Sequence, residues 1–164
     1  MRWAMVLAAM TATPAGAQEA PAPACTATVK AEGALAAWGV ETAMTANGAA
    51  TLKVGQAARL TLAPVAAVHW AAAPAKAPAA GTFGGVVNVY VAKAGTYRVA
   101  LGAGAWLDVI RTGETAATPS TAHAHGPACT GVRKLVDFTL VTGRYAVQVS
   151  GAPEATIGML VVAG

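Results

Sequence analysis

The sequence predicts an all-β protein: a single antiparallel β-sandwich or jelly-roll-like domain of eight or nine strands. Three observations carry this. From residue 51 onward the apolar residues recur with a period of two rather than 3.6. The apolar runs are short and are closed by Gly- or Pro-containing turns. No run long enough for a helix shows helical spacing, apart from one short turn expected over residues 33–38 (Gly-Ala-Leu-Ala-Ala-Trp).

Taken in order, Thr51-Leu52-Lys53-Val54 is a strand closed by Gly55-Gln56, and Arg59-Leu60-Thr61-Leu62 is the next, closed by Pro64. Val68-His69-Trp70 begins a third. Residues 71–81 are a Pro/Ala loop, too broken for a helix. Gly85 to Val91 is a valine-rich strand, followed by a turn at Ala94-Gly95. Tyr97 to Leu101 puts Tyr97, Val99 and Leu101 on one face. Trp106 to Ile110 sets Trp106, Asp108 and Ile110 against Leu107 and Val109. A long loop runs from Arg111 to about Gly131. Lys134 to Leu140, Tyr145 to Val149 and Thr156 to Val162 complete the set.

The N-terminus reads as an export signal. Arg2 precedes a short apolar stretch, and Ala15-Gly16-Ala17 has the small-x-small form of a signal-peptidase site. The apolar run falls short of the roughly 20 residues of a membrane span, and no later segment reads as one. The domain plan is therefore a signal peptide over 1–17, a flexible Pro/Ala-rich lead-in over 18–32 and a sandwich over 33–164. Removing residues 1–17 from 164 leaves 147, enough to bury a core without metals. A periplasmic or secreted location follows. Cys25 and Cys129 are the two cysteines, and in an oxidising compartment an even count pairs. The alternative is a reactive or metal-binding thiol at Cys129.

Charged residues make up 11% of the chain and the net charge is +4. The basic residues are scattered singly except Arg133-Lys134. Nucleic-acid binding calls for a concentrated basic stripe, so that class is excluded.

Residues 89–101 echo residues 138–149: each reads strand, turn, Gly-x-Tyr, strand. The glycine permits positive φ. The tyrosine opens the returning strand with its ring inward and its hydroxyl free to bond the turn. This Gly-x-Tyr-x-Val pattern resembles the bacterial pre-peptidase C-terminal domains and related accessory sandwiches, mainly over residues 85–162. The resemblance implies an exported accessory or ligand-binding role, with a small molecule, glycan or envelope protein as partner. A second likeness is to small exported proteins of Gram-negative bacteria that share Gly95 to Leu101, Trp106 to Val109, and His125 to Gly131 with Arg133-Lys134. Some of these carry the name homogentisate 1,2-dioxygenase, which would imply a metal-dependent enzyme of cupin type.

Chemistry, if present, centres on the loop 111–131. His123-x-His125 is a metal-ligand spacing, since i and i+2 share a face of an extended segment. Glu114 and His69 could complete a divalent-metal site; the opposing reading is a plain polar loop stapled by Cys129. Trp106, Asp108 and Arg133 are the candidate ligand-binding residues. Trp38, Trp70 and Trp106 could form a sugar-stacking platform, or could pack in the core. Asp108 and Asp137 are single acids in apolar strands. They are read either as a general acid/base pair or as partners of Arg98, Arg133 or Lys134, because an unpaired buried acid is costly. No nucleophile elbow, phosphate loop or dinucleotide fingerprint occurs.

Overall fold

The computed structural model describes residues 24–164; the expected signal peptide over 1–17 and the first part of the lead-in, residues 18–23, lie outside them. Among the described residues, eleven strands form two packed sheets, slightly more than the eight or nine expected. They are β1 (Glu41–Thr45), β2 (Asn47–Leu52), β3 (Ala57–Thr61), β4 (Ala63–Pro64), β5 (Phe83–Val91), β6 (Gly95–Leu101), β7 (Trp106–Arg111), β8 (Ser120–Ala124), β9 (Lys134–Leu140), β10 (Gly143–Ala152) and β11 (Thr156–Ala163). The first sheet has the order β1-β3-β11-β6-β9-β8 and the second β2-β5-β10-β7, with β4 pairing β5 at its start. A 3-10 turn at Gly33–Leu35 lies within the helical turn expected over 33–38.

Alternation builds the core between the sheets. Tyr97, Val99 and Leu101 of β6 face Leu107 and Val109 of β7 and Tyr145, Val147 and Val149 of β10. Each such side chain removed from water contributes about 1.5–3 kcal/mol. A second apolar cluster lies on the outer face of the first sheet. There Ala31, Leu35, Trp38 and Val132 cover Ala57, Ala100, Leu160 and Val162. This explains why residues 157–162 are apolar without alternation: β11 is buried on both faces.

The tyrosines of the two Gly-x-Tyr hairpins take the inward positions and turn contacts that the sequence predicts. The Tyr97 hydroxyl donates to the Lys93 carbonyl at 2.7 Å. The Tyr145 hydroxyl donates to the Val141 carbonyl at 2.9 Å and accepts from the Val141 N–H at 3.1 Å. Both rings are buried in the core. Gly143 has a positive φ of 155°, whereas Gly95 does not take a positive φ. The Cys25–Cys129 disulfide forms, with Cα atoms 5.4 Å apart.

The structure corrects five expectations. The sheets are not purely antiparallel: β1 pairs β3, and β2 pairs β5, in parallel register. The chain crosses from β1 in one sheet to β2 in the other through buried Ala46, then returns to β3. A crossover of this kind permits parallel pairing where a hairpin would not. Residues 41–50 form strands that the apolar pattern hides, because most of their side chains are exposed. Residues 68–70 form no strand; they cross the outer face of the second sheet, where Trp70 packs on Gly84. The loop 111–131 contains β8, whose five side chains are all exposed and so carry no period. Nor is the lead-in free along its length. The disulfide holds Cys25, the Val29 N–H donates to the Cys129 carbonyl at 2.8 Å, and Ala31 is buried.

Candidate functional site

The outer face of the second sheet carries the densest polar construction. Trp106 and Asp108 project from β7, opposite Ser150 and Gln148 of β10. The alternation that turns Leu107, Val109, Val147 and Val149 into the core turns these four outward. The Pro/Ala segment 71–76 runs over them. Its backbone has no strand partner, and side chains of the sheet supply its bonds instead. The Gln148 amide donates to the Ala72 carbonyl at 3.1 Å, and its oxygen accepts from the Ala72 N–H at 3.5 Å. Asp108 accepts from the Ala75 N–H at 3.1 Å, from Gln148 Nε2 at 3.3 Å and from the indole Nε1–H of Trp106 at 2.9 Å. The carboxylate is 4% exposed yet has no cation against it; three N–H donors satisfy it instead.

Two lysines, Lys76 from the 71–76 segment and Lys134 from β9, lie around one ring. The Trp106 indole is 40% exposed. Lys134 Nζ lies 5.5 Å from its centroid and Lys76 Nζ lies 5.8 Å away, both within cation–π range. Lys134 also donates to the Ala105 carbonyl at 2.8 Å. Neither ammonium is in a salt bridge among the described residues. Burial, and secondarily the charge of Lys76, holds the Lys134 ammonium below the usual lysine range. The Ser150 hydroxyl, buried on the strand position facing Trp106, has no hydrogen-bond partner.

The predicted site residues divide clearly. Trp106 and Asp108 come together. Arg133 does not join them: it lines a crevice beside the disulfide with His125, while its own N–H bonds the Leu101 carbonyl. Lys134, one position on, faces the platform, because neighbouring residues of an extended chain point to opposite sides. Asp108 and Asp137 are not an acid/base pair. Arg98 bonds Asp137 through two contacts of 2.7 Å and holds its carboxyl below the usual carboxylate range. Asp108 pairs with none of the three expected cations.

The four proposed metal ligands stay apart. His123 lies on exposed β8, and His125 lies past the end of that strand. His69 borders a small crevice with Thr45 and Asn47, and Glu114 caps an exposed turn whose N–H bonds the Arg111 carbonyl. Among the described residues no group of three His, Cys, Asp or Glu side chains could hold a metal ion. The three tryptophans share no platform either: Trp38 is on the first sheet's outer face, Trp70 and Trp106 on the second's.

Sequence reasoning missed Lys76, Lys134 and Gln148. The usable signals were isolated polarity: Gln148 alone between Val147 and Val149, and Lys76 as the single charge in residues 71–81.

A second concavity, about 670 Å³, opens at the end of the first sheet. Trp38, Glu41, Arg59, Gly102, Gly131 and Gly158 line it. Arg59 bonds Glu41 Oε2 at 2.7 Å. A Cβ on Gly158 would lie 2.5 Å from Glu41 Oε1 and 3.0 Å from the Trp38 ring, so only glycine admits both side chains there.

Searches against protein-family models, curated proteins and solved structures found no match to this chain.

Proposed function

We propose that this protein is an exported binding protein that takes an acidic ligand, such as a uronic-acid-bearing glycan, on the Trp106 platform. One observation carries the reading. Two ammonium groups converge on a half-exposed indole and neither is in a salt bridge among the described residues, the neighbouring Asp108 carboxylate being buried and bonded by N–H donors alone. Like charges held together repel, and an anion between them relieves that repulsion. The indole meanwhile offers an apolar surface to a ring. Export is supported by the Arg2-to-Ala17 pattern and by the Cys25–Cys129 bridge, since disulfides persist in oxidising compartments.

The test is a titration of intrinsic tryptophan fluorescence in the oxidised protein with oligogalacturonate, against its methyl ester as the neutral control. Saturable quenching by the acid form is expected, weakened about tenfold by Lys134→Gln or Lys76→Gln, as loss of one charge-assisted contact implies. Equal response to both forms, or indifference to both lysine variants, would sink the reading. Mass analysis of the exported chain checks the signal: it should begin at Gln18.

A further inference from the structure

The cleft at Trp38 is a second site, independent of the Trp106 platform. We propose that it binds an uncharged polyhydroxylated ligand, a neutral saccharide.

The argument begins with an indole N–H. Trp38 is 9% exposed, its ring held by Gly158 and Gly102 on one side and by the outer-face cluster on the other. Its Nε1–H has no hydrogen-bond partner among the described residues, yet it is not among the donors sealed from solvent. It lies beside Gly131, 3.6 Å from where a Cβ would stand, and both residues line the cleft. A largely buried tryptophan ordinarily gives its N–H a partner. Here Trp38 and Gly131 both line the cleft, so an occupant of the cleft is the partner within the donor's reach.

The facing acid determines the ligand class. Glu41 is 12% exposed in its side chain and its Oε2 is bonded by Arg59. Oε1 has no partner among the described residues and abuts Gly158. The ion pair cancels the local charge, which removes the attraction for an ionic ligand. It leaves hydrogen-bonding capacity of both kinds: Oε1 as acceptor, with the remaining Arg59 N–H groups and the Trp38 N–H as donors. Hydroxyl groups, which donate and accept at once, match that set. Lys30 and Glu154 add one charge of each sign to the lining, keeping the balance. The volume of about 670 Å³ falls within the range of small-molecule sites. The exposed Val29 and Val40 supply apolar surface at the margin for sugar C–H groups.

The experiment is calorimetric titration of the oxidised protein with a panel of neutral di- and trisaccharides built from glucose, mannose and N-acetylglucosamine. Wild-type protein should bind at least one of them saturably. Glu41→Gln keeps the shape but reverses the hydrogen-bonding sense at one oxygen, and should weaken binding about tenfold. Trp38→Phe, which removes the N–H and keeps an aromatic ring, should do the same. If Trp38→Phe unfolds, Glu41→Gln alone decides. Trp106→Ala should leave this binding unchanged, which separates failure here from failure of the acidic-ligand reading. No saturable heat with any member of the panel, binding unaffected by Glu41→Gln, or binding abolished by Trp106→Ala would each overturn the proposal.

Discussion

Replacing Asp108 by Asn tests whether one carboxylate fastens the 71–76 segment to the sheet. Asp108 accepts three bonds, from Trp106 Nε1, the Ala75 N–H and Gln148 Nε2. Asparagine has one acceptor oxygen, and its amide group would meet a donor wherever the second carboxylate oxygen now stands. If the oxygen keeps Ala75 and Gln148, the amide faces the Trp106 N–H, and that bond is lost. Bonds to a charged group are worth about 1.5–3 kcal/mol each, and the two retained ones weaken to neutral strength near 1 kcal/mol. Water replaces part of the loss at the half-exposed indole, so the net cost should be about 2–3 kcal/mol. At roughly 2–4 °C per kcal/mol for a domain of this size, the melting temperature should fall by about 4–12 °C. Thermal unfolding followed by far-UV circular dichroism reads the shift. A red shift of tryptophan emission should accompany it, as Trp106 loses its anchor. A melting temperature within about 1 °C of wild type, with unchanged emission, would refute the claim that this acid ties the segment down.

Other outcomes follow from the same structure. Replacing both cysteines by serine should cost about 2–4 kcal/mol, because the bridge closes a loop of 104 positions; urea denaturation of the paired variant measures it. The Arg98–Asp137 pair sets an acid limb. Asp137 has a folded pKa below its ordinary 3.8, so its contribution is full well above that value and is lost as pH falls through the depressed folded pKa. Arg98 is 41% exposed, so screening limits the pair to about 1 kcal/mol. Asp137→Asn should therefore flatten a plot of melting temperature against pH below about 4, and a wild-type slope in that variant would count against the assignment. Gly85→Ala puts a Cβ 2.5 Å from Ala46 Cβ and 2.7 Å from the Ala46 carbonyl, and should cost about 1–3 kcal/mol by overpacking, read as a lowered melting temperature. Acidic-ligand affinity should fall as pH rises through the depressed Lys134 value, earlier than an ordinary lysine would allow, when fluorescence titrations are run across alkaline pH.

The sequence by itself determined the elements that lie half-buried in hairpins. Tyr97 and Tyr145 sit two residues beyond a turn glycine, and local geometry alone returns their hydroxyls to the carbonyl four positions back. Leu107 and Val109 likewise turn inward because alternation is a property of the extended chain. Tertiary structure decided the rest. β1, β2 and β8 are strands because neighbours supply hydrogen bonds, while their exposed side chains leave no apolar rhythm to read. His69, His123, His125 and Glu114 looked like one site on spacing, but spacing says nothing about residues on different sheets and turns. Lys76 and Lys134 are 58 positions apart in the chain. The crossing of residues 71–76 over β7 and β10, held by Asp108 and Gln148, brings Lys76 to the indole, while Lys134 reaches it from the start of β9 in the other sheet. Trp106 was legible as a candidate because it stands in an alternating strand. Its charged surroundings were not, because they depend on contacts between distant segments, which a periodic pattern along the chain does not encode.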